Sequence, residues 1–466
     1  MRKKFFMGGV TPNGFSTELT EIVNSGEYFT YILKGGPGTG KSVLMKKVAD
    51  IFGDTEDVTC YYCSSDPASL DAVQLHSSKT IIVDGTPPHV FEPKYPGVRQ
   101  KVINLGQYWD EGNLGEHSEE IIRATRTNKL LLSGAAYYNN ALGIICNSTY
   151  NVAEGFLNRQ MLEDEAYRFC DKLYVHHKKN RGKQGIRQLS VMTKNGYMTL
   201  MDTIEQYSDM YVLNDRLFAA SDVFINIVAE KALEYGFSVK VSPCLLFGNF
   251  VREHLLIDDI RTALVTSNPL TNIKNSRSAD IDLSLFYVQE QMQPYEKLLK
   301  TNNRLIETIA GISQEMLEDA KCFHDEIEKY YIDAMDFTAL DGVCDDICND
   351  IHRRGRLIMA NEKILEILKE IKKDPKAKEL FEGMEKPGSP DEAISAYAQV
   401  AEKLGYGITA EDIRVAVEQE EARRKEKTDK AVSDITELDD DELEDVAGGV
   451  SLCGLLVRFI TEVIKE

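Results

Sequence analysis

In the first hundred residues the apolar positions come in short runs, not in helical stripes. Residues 28–33 are aromatic and β-branched, which predicts a short buried strand. Residues 43–49 then have helical composition, and Thr80-Ile81-Ile82-Val83 is a second apolar run that ends in Asp84. A similar succession returns further on, with a strand-like segment at 210–213, a helix-like one at 223–233 and another strand-like one at 237–241. Residues 283–335 carry Leu, Glu, Lys and Gln at helical spacing, which predicts long helices that pair and close the second α/β unit. After about residue 355 the pattern changes. Ile364, Leu365, Ile367, Leu368 and Ile371 form a helical stripe. Asp374-Pro375, Ser389-Pro390 and Thr409-Ala410-Glu411-Asp412 each read as a helix start, and Gly405 as a stop. Residues 450–466 place Leu452, Leu455, Leu456, Phe459, Ile460, Val463 and Ile464 on one helical face.

Composition bounds the function classes. A chain of 466 residues suits two to four domains, and its 43 % hydrophobic content is ordinary for a globular protein. A net charge of −21 argues against broad nucleic-acid binding, which needs clustered cations. The basic patch from His176 to Lys183 reads as a solvated loop. Nine scattered cysteines are not a disulfide framework and fit a reducing compartment. Cys60-x-x-Cys63 lacks a second pair, so zinc or redox chemistry is disfavoured. Cys344, Cys348 and His352 share a helical face, which buried packing explains better than a metal. No apolar run reaches membrane-spanning length and the N-terminus lacks the apolar region of a secretory signal, so a cytoplasmic location is expected.

The sharpest chemistry lies between the first strand and the first helix. Gly35-Gly36-Pro37-Gly38-Thr39-Gly40-Lys41-Ser42 satisfies the P-loop pattern in its strand–loop–helix context. Glycines let successive backbone N–H groups curl around a phosphate, Lys41 brings a point charge to it, and Ser42 offers a hydroxyl to magnesium. Asp84, at the end of the second apolar run, is the expected acid of the magnesium shell. The expected ligands are therefore ATP and Mg. Gly85 follows Asp84 where many motor ATPases carry a catalytic Glu, which predicts slow hydrolysis. His89 and Glu92 are weaker candidates for positioning water. Asp84-Gly85-Thr86-Pro87-Pro88 is similar to a turn of nucleoside monophosphate kinases but lacks its Arg, so a small-molecule kinase is the weaker alternative.

Self-comparison predicts a duplication. Tyr31-Ile32-Leu33 matches Tyr211-Val212-Leu213 at an offset of 180, and Thr11-Pro12-Asn13-Gly14-Phe15 matches Thr193-Lys194-Asn195-Gly196-Tyr197. The second loop, 214–222, has no glycine, and Ser221 falls at the position of Lys41. Residues 1 to about 350 resemble a family of uncharacterised bacterial proteins built from two P-loop ATPase-like repeats. The resemblance rests on Gly35 to Ser42, Cys63 to Asp71, Asp84 to His89, Glu92 to Gly97 and Asn104 to Asp110. It implies ATP binding and hydrolysis, at the first loop only, since the second departs from the pattern.

The C-terminal hundred residues resemble the nitrogen-fixation-type (Nif-eleven) leader peptides of ribosomally made, modified peptides. The matching stretches are Asp374-Pro375, the segment from Ser389 to Gly405, Gly407 to Asp412, and Leu438 to Gly449, which closes on Gly448-Gly449. That resemblance implies cleavage after Gly449 and, as partners, a peptide-modifying enzyme and a processing protease or exporter. The expected fold class is α/β, with two P-loop NTPase-like units, the second degenerate, long helices, a small all-α leader-like module and a flexible acidic tail. The expected divisions are 1–185, 186–355, 356–432, an acidic linker at 433–449 and an amphipathic tail at 450–466. A further alternative is a non-enzymatic, nucleotide-regulated scaffold that presents the leader.

Overall fold

A computed structural model describes residues 2–11, 14–87, 90–178, 180–248, 250–274 and 277–433. The expected acidic run, Gly448-Gly449 and the tail 450–466 lie outside the described residues. The chain is mixed α/β, with two six-stranded sheets and long helices.

The first sheet is built from β1 (Arg2–Phe6), β2 (Phe29–Lys34), β3 (Val58–Tyr62), β4 (Leu70–Leu75), β5 (Thr80–Asp84) and β6 (Gln100–Asn104). The second holds β7 (Gln184–Ile186), β8 (Asp209–Asn214), β9 (Val239–Pro243), β10 (Arg252–Ile257), β11 (Thr262–Ser267) and β12 (Ala279–Asp282). Read edge to edge, the first sheet runs β1-β3-β4-β5-β2-β6 and the second β7-β9-β10-β11-β8-β12. Both therefore place their strands in the chain order first, third, fourth, fifth, second, sixth. Strand directions agree wherever they compare: first and third are parallel, third and fourth antiparallel, second and sixth parallel. The central strands are apolar runs because they are buried: Tyr31, Ile32 and Leu33 are fully buried, as are Leu255, Leu264 and Val265.

Helix α1 (Lys41–Phe52) follows β2, and α4 (Ala219–Glu234) follows β8. Helices α2 (Ser118–Glu154) and α3 (Arg159–Leu173) connect the two sheets, and α5 (Glu296–Ala334) follows the second. The sequence predicts that 283–335 closes the second unit with its own helical pair. Instead, α5 is one 39-residue helix whose partner is the 37-residue α2. They run antiparallel, with polar contacts from Asn128 Nδ2 to Ala320 O (2.6 Å), from Ser313 Oγ to Asn139 Oδ1 (2.7 Å) and from Asn302 Nδ2 to Thr149 Oγ1 (3.2 Å). Each sheet's long helix thus packs against that of the other.

Helix α6 (Phe337–Lys373) runs through the division expected at 355–356, since it contains no proline and its two glycines cost only about 1 kcal/mol each. By contact the described residues form two compact units, one comprising those of Met1–Glu21, Thr30–His76 and Ile81–Cys344, the other Ile22–Phe29, Ser77–Thr80 and the described residues from Asp345 to Ser433. The second unit contains α7 (Pro375–Glu382), α8 (Pro390–Lys403) and α9 (Ala410–Ser433). Asp374 caps α7 through the Lys376 N–H, Ser389 caps α8 through the Glu392 N–H, and Thr409 and Asp412 cap each other reciprocally at the start of α9. Ile371, Phe381, Tyr397, Val400 and Ile413 form their shared core.

Candidate functional site

The glycine-rich loop joins β2 to α1 at the carboxyl edge of the first sheet, where open α/β sheets bind ligands. Gly38 (φ 72°) and Gly40 (φ 80°) adopt left-handed backbone that a side chain would strain. Thr39 turns its hydroxyl inward onto Gly36 O at 2.8 Å. Lys41 opens α1 and folds back over the loop, donating to Gly35 O (2.7 Å) and Gly36 O (2.8 Å). Its ammonium lies 3.6 Å from Asp84 Oδ2, and both side chains are largely buried, at 10 % and 15 % exposure. Burial pushes the Lys41 ammonium below the ordinary lysine value and Asp84 above the ordinary carboxylate value, while their attraction opposes both shifts. Ser42 Oγ accepts the Leu70 N–H at 2.9 Å. Asp84 is fixed by Thr86, whose N–H and hydroxyl donate to Oδ1 at 2.9 and 2.6 Å.

Lys41, Ser42 and Asp84 therefore share one corner. A fourth group joins them: Asp71, which closes the Cys63–Asp71 stretch and is buried on β4 directly after Leu70, acts electrostatically on both Lys41 and Asp84. The place after Asp84 cannot hold a glutamate, because a Cβ on Gly85 would lie 2.5 Å from Ile32 Cγ2. Glu92 is exposed and paired with Lys34 at 3.0 Å, and His89 lies outside the described residues.

Helix α5 covers the loop. A Cβ on Gly36 would lie 2.9 Å from the Tyr331 ring, and one on Gly38 would lie 2.7 Å from Glu328 O. A Cβ on Gly40 would lie 2.5 Å from Leu340 at the start of α6. Tyr331 also meets Trp109 edge to face at 5.4 Å. The second half of the chain reaches the same rim through Asp66, which pairs with Lys194 at 2.9 Å and with Lys321 at 3.5 Å. Sequence could not place Lys194, Lys321, Glu328, Tyr331 and Leu340 here, since they lie about 150 to 300 residues along the chain from the loop.

The loop between β8 and α4 is built differently. Asp215 is buried, and its carboxylate accepts the N–H groups of Leu217 (2.9 Å) and Ser221 (2.8 Å) and the hydroxyl of Tyr287 (3.0 Å). The loop thus directs its N–H groups onto a carboxylate from its own chain. Phe218 takes left-handed backbone here (φ 69°). Asp222 Oδ1 accepts the Arg252 N–H at 2.9 Å, as Ser42 Oγ accepts that of Leu70. That match aligns Asp222 with Ser42, and so Ser221 with Lys41.

The remaining sequence candidates lie apart. Cys60 is buried, its thiol pushed up to about 11 by desolvation, and the described residues contain no group of three metal-ligating side chains. In the basic patch, Lys178 pairs with Asp259 and Arg181 with Glu230. The chain matches no protein-family model, no curated protein and no solved structure.

Proposed function

We propose that the first repeat is a P-loop nucleotide site that binds ATP with magnesium and hydrolyses it slowly, and that the C-terminal module is a leader carrying a Gly448-Gly449 processing site. The observation that carries the first part is the buried Lys41–Asp84 pair, at the start of a helix that follows a loop with two left-handed glycines. Packing against α5 and α6 gives Gly36, Gly38 and Gly40 a second reason to be glycine. It gives no reason to bury a lysine and an aspartate side by side, which costs desolvation unless a ligand uses them.

In this reading the loop N–H groups and the α1 N-terminus hold the phosphates. Lys41 exchanges its two carbonyl partners for phosphate oxygens, and Ser42 and Asp84 hold the magnesium shell. The ion would supply charge neutralisation at the terminal phosphates. Gly85, where a Cβ would lie 2.5 Å from Ile32 Cγ2, carries no carboxylate directly after Asp84, which supports slow turnover. Asp215 fills the second loop with its own negative charge, so one nucleotide per chain is expected.

The resemblance of 357–449 to a leader, and the capped helices of α7 to α9, support the second part. Intact mass of the protein from its native host tests it. A chain ending at Gly449 is expected, and a full-length C-terminus would overturn it. For the first part, calorimetry with MgATP is expected to show binding that Lys41→Ala abolishes; unchanged affinity in the variant would refute it.

A further inference from the structure

A cavity of about 330 Å³ in the first unit has a lining unlike the rest of this acidic protein. Its charged residues are the cations Lys3, Arg187, Lys240 and Arg261 and the acids Asp57 and Asp258, with His76 beside them. None belongs to either loop. The same elements of both repeats contribute: His76 and Asp258 directly follow β4 and β10, the two fourth strands, and Val58 and Lys240 lie on β3 and β9, the two third strands. The cavity therefore sits where the two copies face each other, a common place for ligand sites.

The charges do not cancel. Asp258 serves two cations, accepting Lys3 Nζ at 2.7 Å and pairing with Lys240, and it also accepts the Tyr207 hydroxyl. Arg187 donates to Ile186 O at 2.6 Å and Arg261 to Gln206 O at 2.7 Å. Among the described residues neither guanidinium has a carboxylate partner, so most of their donors remain for a ligand. Gln206 beside them is held in place, its Nε2 donating to Arg2 O (2.9 Å) and Asp202 O (3.0 Å).

We propose that this cavity binds a compact polyanion, whose phosphate or carboxylate groups lie on Arg187 and Arg261. Forked donors suit either kind of oxyanion, and the volume admits a small metabolite rather than a polymer. The site is separate from the glycine-rich loop and does not depend on its reading.

The test uses the full chain with Lys41→Ala, so that the loop contributes no phosphate binding. Calorimetry at low salt is run with citrate, a hydroxylated tricarboxylate, and with inorganic pyrophosphate. One of the two is expected to bind one per chain with a Kd under about 1 mM. Added salt should weaken it, and Arg187→Gln with Arg261→Gln should weaken it at least about tenfold. If the double variant does not fold, Arg261→Gln alone, on an exposed side chain, is expected to weaken it about threefold. Binding of citrate alone identifies a carboxylate ligand, and of pyrophosphate alone a phosphate ligand. Failure of both probes, or binding that survives the arginine substitutions, overturns the proposal.

Discussion

Two carboxylates that lie beside the corresponding loops of the two sheets, one at the end of β5 and one directly after β8, have different partners. Asp84 pairs with the Lys41 ammonium, whereas Asp215 is saturated by backbone N–H groups and the Tyr287 hydroxyl. Asp215→Ala would leave two backbone donors and the Tyr287 hydroxyl buried without an acceptor. A loss of about 3–5 kcal/mol is expected in denaturant unfolding; a loss below about 1 kcal/mol would contradict the network. A third buried acid, Glu253, accepts Tyr197 and Asn268, yet burial raises its carboxyl to about 7. Its folded value exceeds the unfolded one, so the native state holds the proton more tightly. The associated stability is complete below about pH 4.5 and lost as pH rises through about 7, by at most about 3 kcal/mol. Glu253→Gln should flatten that slope in urea titrations between pH 5 and 8, and a slope equal to wild type would exclude Glu253 as its source. That Lys41 and Ser42 lie close to Asp84 was readable, because a spacing motif marks the first two and an apolar run ending in an acid marks the third. Asp215 was not, since its role depends on Tyr287, which folding brings to it from 72 residues away.

Among the elements, helix starts were the most legible, because capping is local. Asp374 and Ser389 cap their own helices as their sequences predict. The pairing of α5 was illegible for the opposite reason. An amphipathic stripe states that a helix has a partner, not which one, and α5 joins α2 of the other repeat. That exchange carries Tyr331 and Glu328 onto the glycine-rich loop. Gly38→Ala combines a left-handed backbone with a Cβ only 2.7 Å from Glu328 O. It should cost about 1–3 kcal/mol of stability by thermal unfolding, and a neutral substitution would show that α5 yields freely.

At the scale of the whole molecule, one strand connectivity appears twice. The strand order is identical in the two sheets, while the loops that follow the second strands differ in chemistry. Sequence self-comparison reached the duplication through Tyr31-Ile32-Leu33 and Tyr211-Val212-Leu213, because equivalent central strands are under the same burial constraint. It did not reach the contact between the repeats, which no local pattern encodes. In the proposed function one loop of the pair binds nucleotide, while Asp215 fills the other. Titration of the intact chain with MgATP by calorimetry tests it most directly. One site per chain is predicted, absent in Lys41→Ala and retained in a folded Ser221→Ala variant; two sites per chain, or binding that persists without Lys41, would contradict it.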